Sequence, residues 1–175
     1  MLEALTSLFQ PWADYYAASS VLPTAIIALH LLAILAGGGI AIGADRQLLR
    51  TVPSDPAARL ASAHALRDTH GVVIAALVVI VASGMALATA DVGTFATSLV
   101  FWGKMGSFGA LVINGTVMRR IEARVLTLSD APGAADDPKA ALALAAAWGA
   151  LRRSAAISLA GWFTVMLLGV LVANG

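Results

Sequence analysis

Four long stretches of this chain contain one charged residue between them, a pattern that argues against a soluble fold for 175 residues. They lie between Asp14 and Asp45, between Asp68 and Asp91, between Asp91 and Arg119, and from Ser154 to the C-terminus; the single charge is Lys104. Each reaches the roughly 20 residues that a helix needs to cross a hydrocarbon core of about 30 Å. Leu, Val, Ile and Ala dominate them, with scattered Gly, which suits helices that satisfy their backbone groups internally and pack closely in lipid. Composition agrees, with 59% hydrophobic and 12% charged residues against roughly 45–50% and about 25% in soluble domains. The expected fold is all-α, an integral membrane four-helix bundle in a single transmembrane domain, 1–175, with spans at about 20–44, 70–90, 96–118 and 154–173.

The basic residues orient this bundle. Arg46, Arg50, Arg59 and Arg67 lie in the first connection, and Arg119, Arg120, Arg124, Lys139, Arg152 and Arg153 in the third. The N-terminal arm, the connection around Asp91 and the C-terminal Asn174-Gly175 hold none. The positive-inside rule then places both termini on the outer side of the cell inner (cytoplasmic) membrane and both long connections in the cytoplasm. The N-terminus has no basic start and no immediate apolar core, so it does not read as a cleaved signal peptide. Leu2, Leu5, Leu8, Phe9, Trp12, Tyr15 and Tyr16 suggest instead an amphipathic interfacial segment over 1–18. Ser54-Asp55-Pro56 and Asp136-Asp137-Pro138 each pair a capping residue with proline at the first helical position. Helices that start in the cytoplasm should therefore run from Pro56 and from Pro138 into the second and fourth spans, with Ser129 to Asp137 as a flexible loop. The absence of cysteine excludes disulfides, thiolate metal sites and cysteine nucleophiles.

An ionisable group within a span is costly and marks a candidate site. His30 precedes Arg46 by 16 residues and Lys104 precedes Arg119 by 15, so each stands roughly 22–24 Å above its cytoplasmic flank. His70 follows Arg67 by three residues, about 5 Å, which disfavours a His30–His70 pair on one iron. From His30, the positions Ala33, Gly37, Ala41 and Ala44 form a small-residue stripe that suits either close helix packing or a flat ligand. Thr97, Lys104, Ser107 and Asn114 share one side of the third span, flanked by Gly103, Gly106 and Gly109. Gly84 and Met85 come level with Lys104, and Trp162 and Met166 of the fourth span supply further walls. A pocket in the outer half of the bundle accommodates this set.

With no carboxylate in any span and no GxxxxGKS or GxGxxG pattern, acid-based proton relays, common ion-coupled transport and nucleotide chemistry are poorly supported. A neutral imidazole is a good axial ligand for haem iron, and an ammonium can neutralise a porphyrin propionate or, once deprotonated, ligate iron. The leading expectation is thus a haem b-binding membrane protein in electron transfer or oxidation of a porphyrin-like or quinone substrate. Its cofactor would be held by His30, Lys104, Ala33, Gly37, Ala41, Ser107, Gly84 and Met85, with His30 and Lys104 at the metal. Copper is the competing occupant, since imidazole and the thioethers of Met85, Met105 and Met166 suit it. A non-enzymatic subunit or scaffold is the third reading, in which His30 makes an interhelical hydrogen bond to Ser or Thr and the glycines are packing devices. His64 and His70 read as interfacial histidines, with metal ligation as the alternative, and Asn114 as a bond across helices.

The segments Ala28-Leu29-His30-Leu31-Leu32 and Phe101-Trp102-Gly103-Lys104 resemble those of the HemJ-type protoporphyrinogen oxidases, small four-helix membrane proteins with an essential histidine in the first span and a lysine in the third. The run from Gly103-Lys104 through Asn114 to Arg119-Arg120, with Leu151-Arg152-Arg153-Ser154 opening the last span, is similar to the membrane domain of copper-resistance protein D. The resemblances imply a four-helix membrane architecture with His30 and Lys104 at the functional centre. The expected partners are the lipid bilayer, a quinone, porphyrin or redox protein, and a second copy in a homodimer; nothing points to nucleic acid.

Overall fold

A computed structural model describes residues 2–52, 54–130 and 137–174, which are all helical apart from short turns. The helices are α1 (Leu2–Ala18), α2 (Leu22–Arg50), α3 (Pro56–Ala90), α4 (Val92–Thr97), α5 (Leu99–Ser129) and α6 (Pro138–Asn174). Among the described residues, α2, α3 and α6 are long and apolar enough to cross a membrane. The 31 residues of α5 give it the length, but Lys104, Ser107, Asn114 and Thr116 make it less apolar.

Capping chemistry sets the boundaries. Asp55 accepts a hydrogen bond from the Ala58 amide at 3.0 Å, so α3 starts at Pro56 as expected. Asp137 does the same for the Lys139 amide at 2.9 Å at the head of α6; Asp136 and most of the expected loop lie outside the described residues. The connection around Asp91 is more structured than the sequence suggests. Asp91 caps the short α4 through the Thr94 amide at 3.1 Å, and Ser98 caps α5 through the Phe101 amide at 3.2 Å. The third apolar helix therefore begins at Leu99 and not at 96, because Ser98 offers its hydroxyl to a free helix N-terminus.

The four long helices pack in the cyclic order α2, α3, α5, α6, with the pairs α2–α3 and α5–α6 most extensive and α3–α5 the thinnest side. The diagonal pairs α2/α5 and α3/α6 are not in backbone contact. At 35 and 37 residues, α3 and α6 are about 52 and 55 Å long, well beyond the ~30 Å of a bilayer core. The excess lies at the end carrying the basic connections. There Leu48, Ala63, Leu66, Met118, Val125, Trp148 and Leu151 form one buried core, while Ala33, Ile80, Leu111, Trp162 and Val165 form a second, smaller one nearer the chain termini. The α1 helix lies across α3 and α4 at that end, where the Trp12 indole donates to the Ala86 carbonyl at 3.0 Å.

Arg152 closes the C-terminus of α2. Its guanidinium donates to the Leu49 and Thr51 carbonyls, each at 2.9 Å, which satisfies acceptors that the helix end leaves open. Arg152→Ala should therefore cost about 2 kcal/mol, the range for charged hydrogen bonds. Arg152→Lys should recover little, because an ammonium lacks the planar fork that spans two carbonyls. Thermal unfolding of the two variants in detergent checks this; wild-type stability in Arg152→Ala would refute the capping role.

Candidate functional site

His30 and Lys104 sit on the diagonal helices α2 and α5, on the termini side of the smaller core. Both are half-buried, and the Lys104 charge lies within electrostatic reach of the imidazole. The His30 ring edge fits a notch in α3: a Cβ on Gly84 would stand 3.3 Å from its Cε1. Its Nδ1 lies 2.8 Å from the Ser83 hydroxyl, and the Ile80 carbonyl also faces the ring. The Ser83 hydroxyl also lies within hydrogen-bond distance of the Val79 carbonyl in its own helix. When Ser83 donates to Val79 it accepts from His30, and in that tautomer Nδ1 carries the ring proton and Nε2 presents a lone pair. Metal-ligating histidines use this arrangement, the far nitrogen being held by a second group that fixes tautomer and orientation.

The Lys104 ammonium points to α6, where a Cβ on Gly169 would lie 3.6 Å from Nζ. Among the described residues no carboxylate pairs with it. Ser107 lies half-buried one turn further along α5.

The stripe Ala33, Gly37 and Ala41 is a packing face in this fold. A Cβ at Gly37 would approach the Ala76 Cβ to 2.5 Å, and one at the adjacent Gly38 would meet Met166 and Trp162 at 3.0–3.2 Å. The surface that the sequence offers for a flat ring is thus taken by α3 and α6. Met85 turns outward, 63% exposed, while Met166 lies against Gly38, eight residues from His30 along α2. Met85 and Met166, two of the three methionines named for copper, are thus not gathered on the imidazole.

His70 is well separated from His30. Ser83 marks the level of His30 on α3, and His70 lies 13 residues away along that helix, about 20 Å. It contacts Glu122 of α5, Nδ1 to Oε2 at 3.2 Å, and His64 is exposed one helix face away. Among the described residues no group of three His, Cys, Asp or Glu side chains is placed to hold a metal ion. Asn114 does bond across helices: its amide donates to the Ser154 carbonyl and its Oδ1 accepts from the Ser154 hydroxyl, both at 3.0 Å.

Two buried carboxylates escaped the sequence reading. Asp45, 2% exposed, faces Ser158, and its Oδ2 has no hydrogen-bond partner among the described residues. Glu122 is 3% exposed in a helix rich in neighbouring arginines. Both were legible in principle. Asp45 stands four residues beyond Ala41 on the inward stripe of α2, and Glu122 shares the α5 stripe with Leu111, Met118 and Val125.

Burial pushes the Glu122 carboxyl up from its ordinary value, partly offset by the charges of Arg67, Arg119 and His64, with Asp68 adding to the rise. Folded Glu122 therefore holds a proton that the unfolded chain has already released. Its contribution to stability falls as pH rises from the ordinary glutamate range through the raised value. Glu122→Gln should flatten the loss of thermal stability as pH rises above the ordinary glutamate value of 4.5; an unchanged profile would count against the buried, proton-holding carboxyl. Comparison of the chain with family models, curated proteins and solved structures finds no match.

Proposed function

We propose that this chain crosses the inner membrane four times, with both termini outside, and binds haem b between His30 and Lys104 to carry electrons or oxidise a porphyrin-like or quinone substrate. The observation that carries the reading is the 2.8 Å contact of His30 Nδ1 with the Ser83 hydroxyl: where Nδ1–H donates to Ser83, Nε2 keeps a lone pair for a metal. The donor chemistry fits the group. The imidazole would ligate the metal, and the Lys104 ammonium, which has no carboxylate partner among the described residues and is costly in a membrane interior, would offset a propionate. Because α3 and α6 pack on the Ala33/Gly37/Ala41 face, a ring would have to lie beyond it, between His30 and Lys104 themselves.

Haem bound there would supply a one-electron couple. The chain supplies the rest: Ser83 orients the imidazole, Gly84 leaves room for its edge, and Lys104 compensates negative charge where water is scarce. The HemJ-like placement of the histidine and lysine supports the same reading. Detergent-purified protein titrated with haem should develop a Soret band that saturates at a fixed stoichiometry. A spectrum equal to free haem at every ratio would overturn the proposal and leave the scaffold reading, in which His30 only packs α2 onto α3.

A further inference from the structure

We propose that the cavity between the inner ends of α3 and α5 is a phospholipid site in which Arg67 and Arg119 hold the headgroup phosphate of an inner-leaflet lipid. The cavity measures about 540 Å³ and is lined by Arg67, His70, Arg119, Glu122, Thr127 and Asp130, within the roughly 300–1,000 Å³ of small-ligand sites. Its floor is built: the Glu122 side chain is 4% exposed and tied to His70 at 3.2 Å. Both arginines are exposed, and neither enters an ion pair among the described residues. Two guanidiniums, Arg67 and Arg119, line this cavity beside the exposed Asp130, while the Glu122 carboxyl is buried against His70. The paired guanidiniums complement a phosphodiester, which this side chain is best shaped to grip.

A lipid suits the site better than phosphate from solution because an apolar track leads away from it. Gly71, Ile74 and Val78 follow one side of α3, and Val112 and Gly115 approach Arg119 along α5. Ile74 is 42% exposed, Val78 64% and Val112 37%, and a Cβ at Gly71 or Gly115 would meet nothing within 4 Å. Acyl chains can lie there on the thinnest side of the bundle, with the headgroup at the level where Arg67 and Arg119 flank the spans. The inference rests on the bilayer-spanning reading of the helices and is independent of haem.

Native mass spectrometry of the full chain in detergent, titrated with dioleoyl phosphatidylglycerol and separately with dioleoylglycerol, tests it. The wild type should retain phosphatidylglycerol adducts and not the diacylglycerol, which lacks the phosphate. Arg67→Gln/Arg119→Gln, checked for wild-type helicity, should bind phosphatidylglycerol about tenfold more weakly, the ~1.4 kcal/mol expected for losing charge-assisted contacts. Equal binding by wild type and double variant overturns the site, as does full displacement of the lipid by millimolar inorganic phosphate, which would indicate a free-phosphate site. Fractionation of the same cells separates the two readings: a membrane-extracted chain without adducts sinks the lipid site alone, whereas a chain in the soluble fraction sinks the bilayer reading.

Discussion

His30→Ala should abolish the saturable Soret band, because no other described histidine can replace it. His70 is about 20 Å away along α3 and held by Glu122, and His64 lies beyond it toward the Pro56 end of α3. Ser83→Ala is the sharper test. It leaves the imidazole in place and removes the acceptor that fixes Nδ1–H, so haem affinity should fall about 10- to 100-fold while the band itself survives at saturation. Gly84→Val should act through the ring edge: even a single Cβ at this position would stand 3.3 Å from Cε1, so the larger side chain must push the imidazole out of its notch. Lys104→Met separates the two roles open to the ammonium. As propionate partner it would weaken binding and leave the band position unchanged; as an iron ligand it would move the band. If His30→Ala and Ser83→Ala both bind haem like the wild type, the imidazole is a packing residue and the proposed cofactor site is wrong. Absorption titrations of the four variants read all of these outcomes.

Gly37→Leu should be the most destabilising substitution in the membrane half of the bundle. A Cβ alone would stand 2.5 Å from the Ala76 Cβ, and because both atoms are fixed to helix backbones, the conflict cannot be relieved by a rotamer change. The helices must separate instead, loosening the most extensive contact of α2. Overpacking of this kind costs about 1–3 kcal/mol for a small addition, so Gly37→Ala should already be destabilising and Gly37→Leu should lie at or above the upper end. Gly39→Ala is the control. Nothing lies within 4 Å of its Cβ position, and exchanging glycine for alanine in a helix gains up to about 1 kcal/mol. Thermal unfolding of the three variants in one detergent should therefore rank Gly39→Ala at or above wild type, Gly37→Ala below it and Gly37→Leu lowest. A tolerated Gly37→Leu would mean that α2 and α3 do not pack on this face and that the stripe is free for a ligand after all.

The same two glycines show how much of the molecule was legible beforehand. Helical spacing from His30 identifies Ala33, Gly37 and Ala41 as one face, and burial of Ala33 and Gly37 bears out that the face turns inward. Spacing does not say whether the occupant is a ring or another helix; only the approach of Ala76 answers that. The helix starts at Pro56 and Pro138 were legible because capping is local chemistry between neighbours in the chain. The extra turn of α4 was not, since Asp91 and Ser98 read as a simple connection until both were seen to cap. Asp45 bounds the first uncharged stretch and Glu122 stands among the charges of the third connection, yet their registers point both into the bundle.

Apolar patterning and capping signals alone thus determined that the chain is helical, that α3 and α6 begin at Pro56 and Pro138, that α2, α3 and α6 are apolar enough for a bilayer, and that Lys104 is the one charge inside the uncharged stretches. Tertiary structure decided the partners: His30 with Ser83 and Gly84, His70 with Glu122, Asn114 with Ser154, and Arg152 with the end of α2. The reason lies in the solvent. In water, the contrast between apolar and polar faces tells which side of a helix is covered; in lipid, both sides are equally apolar. Neighbours are then chosen by the fit of small residues and the pairing of a few polar groups, and those depend on how the helices are set against one another.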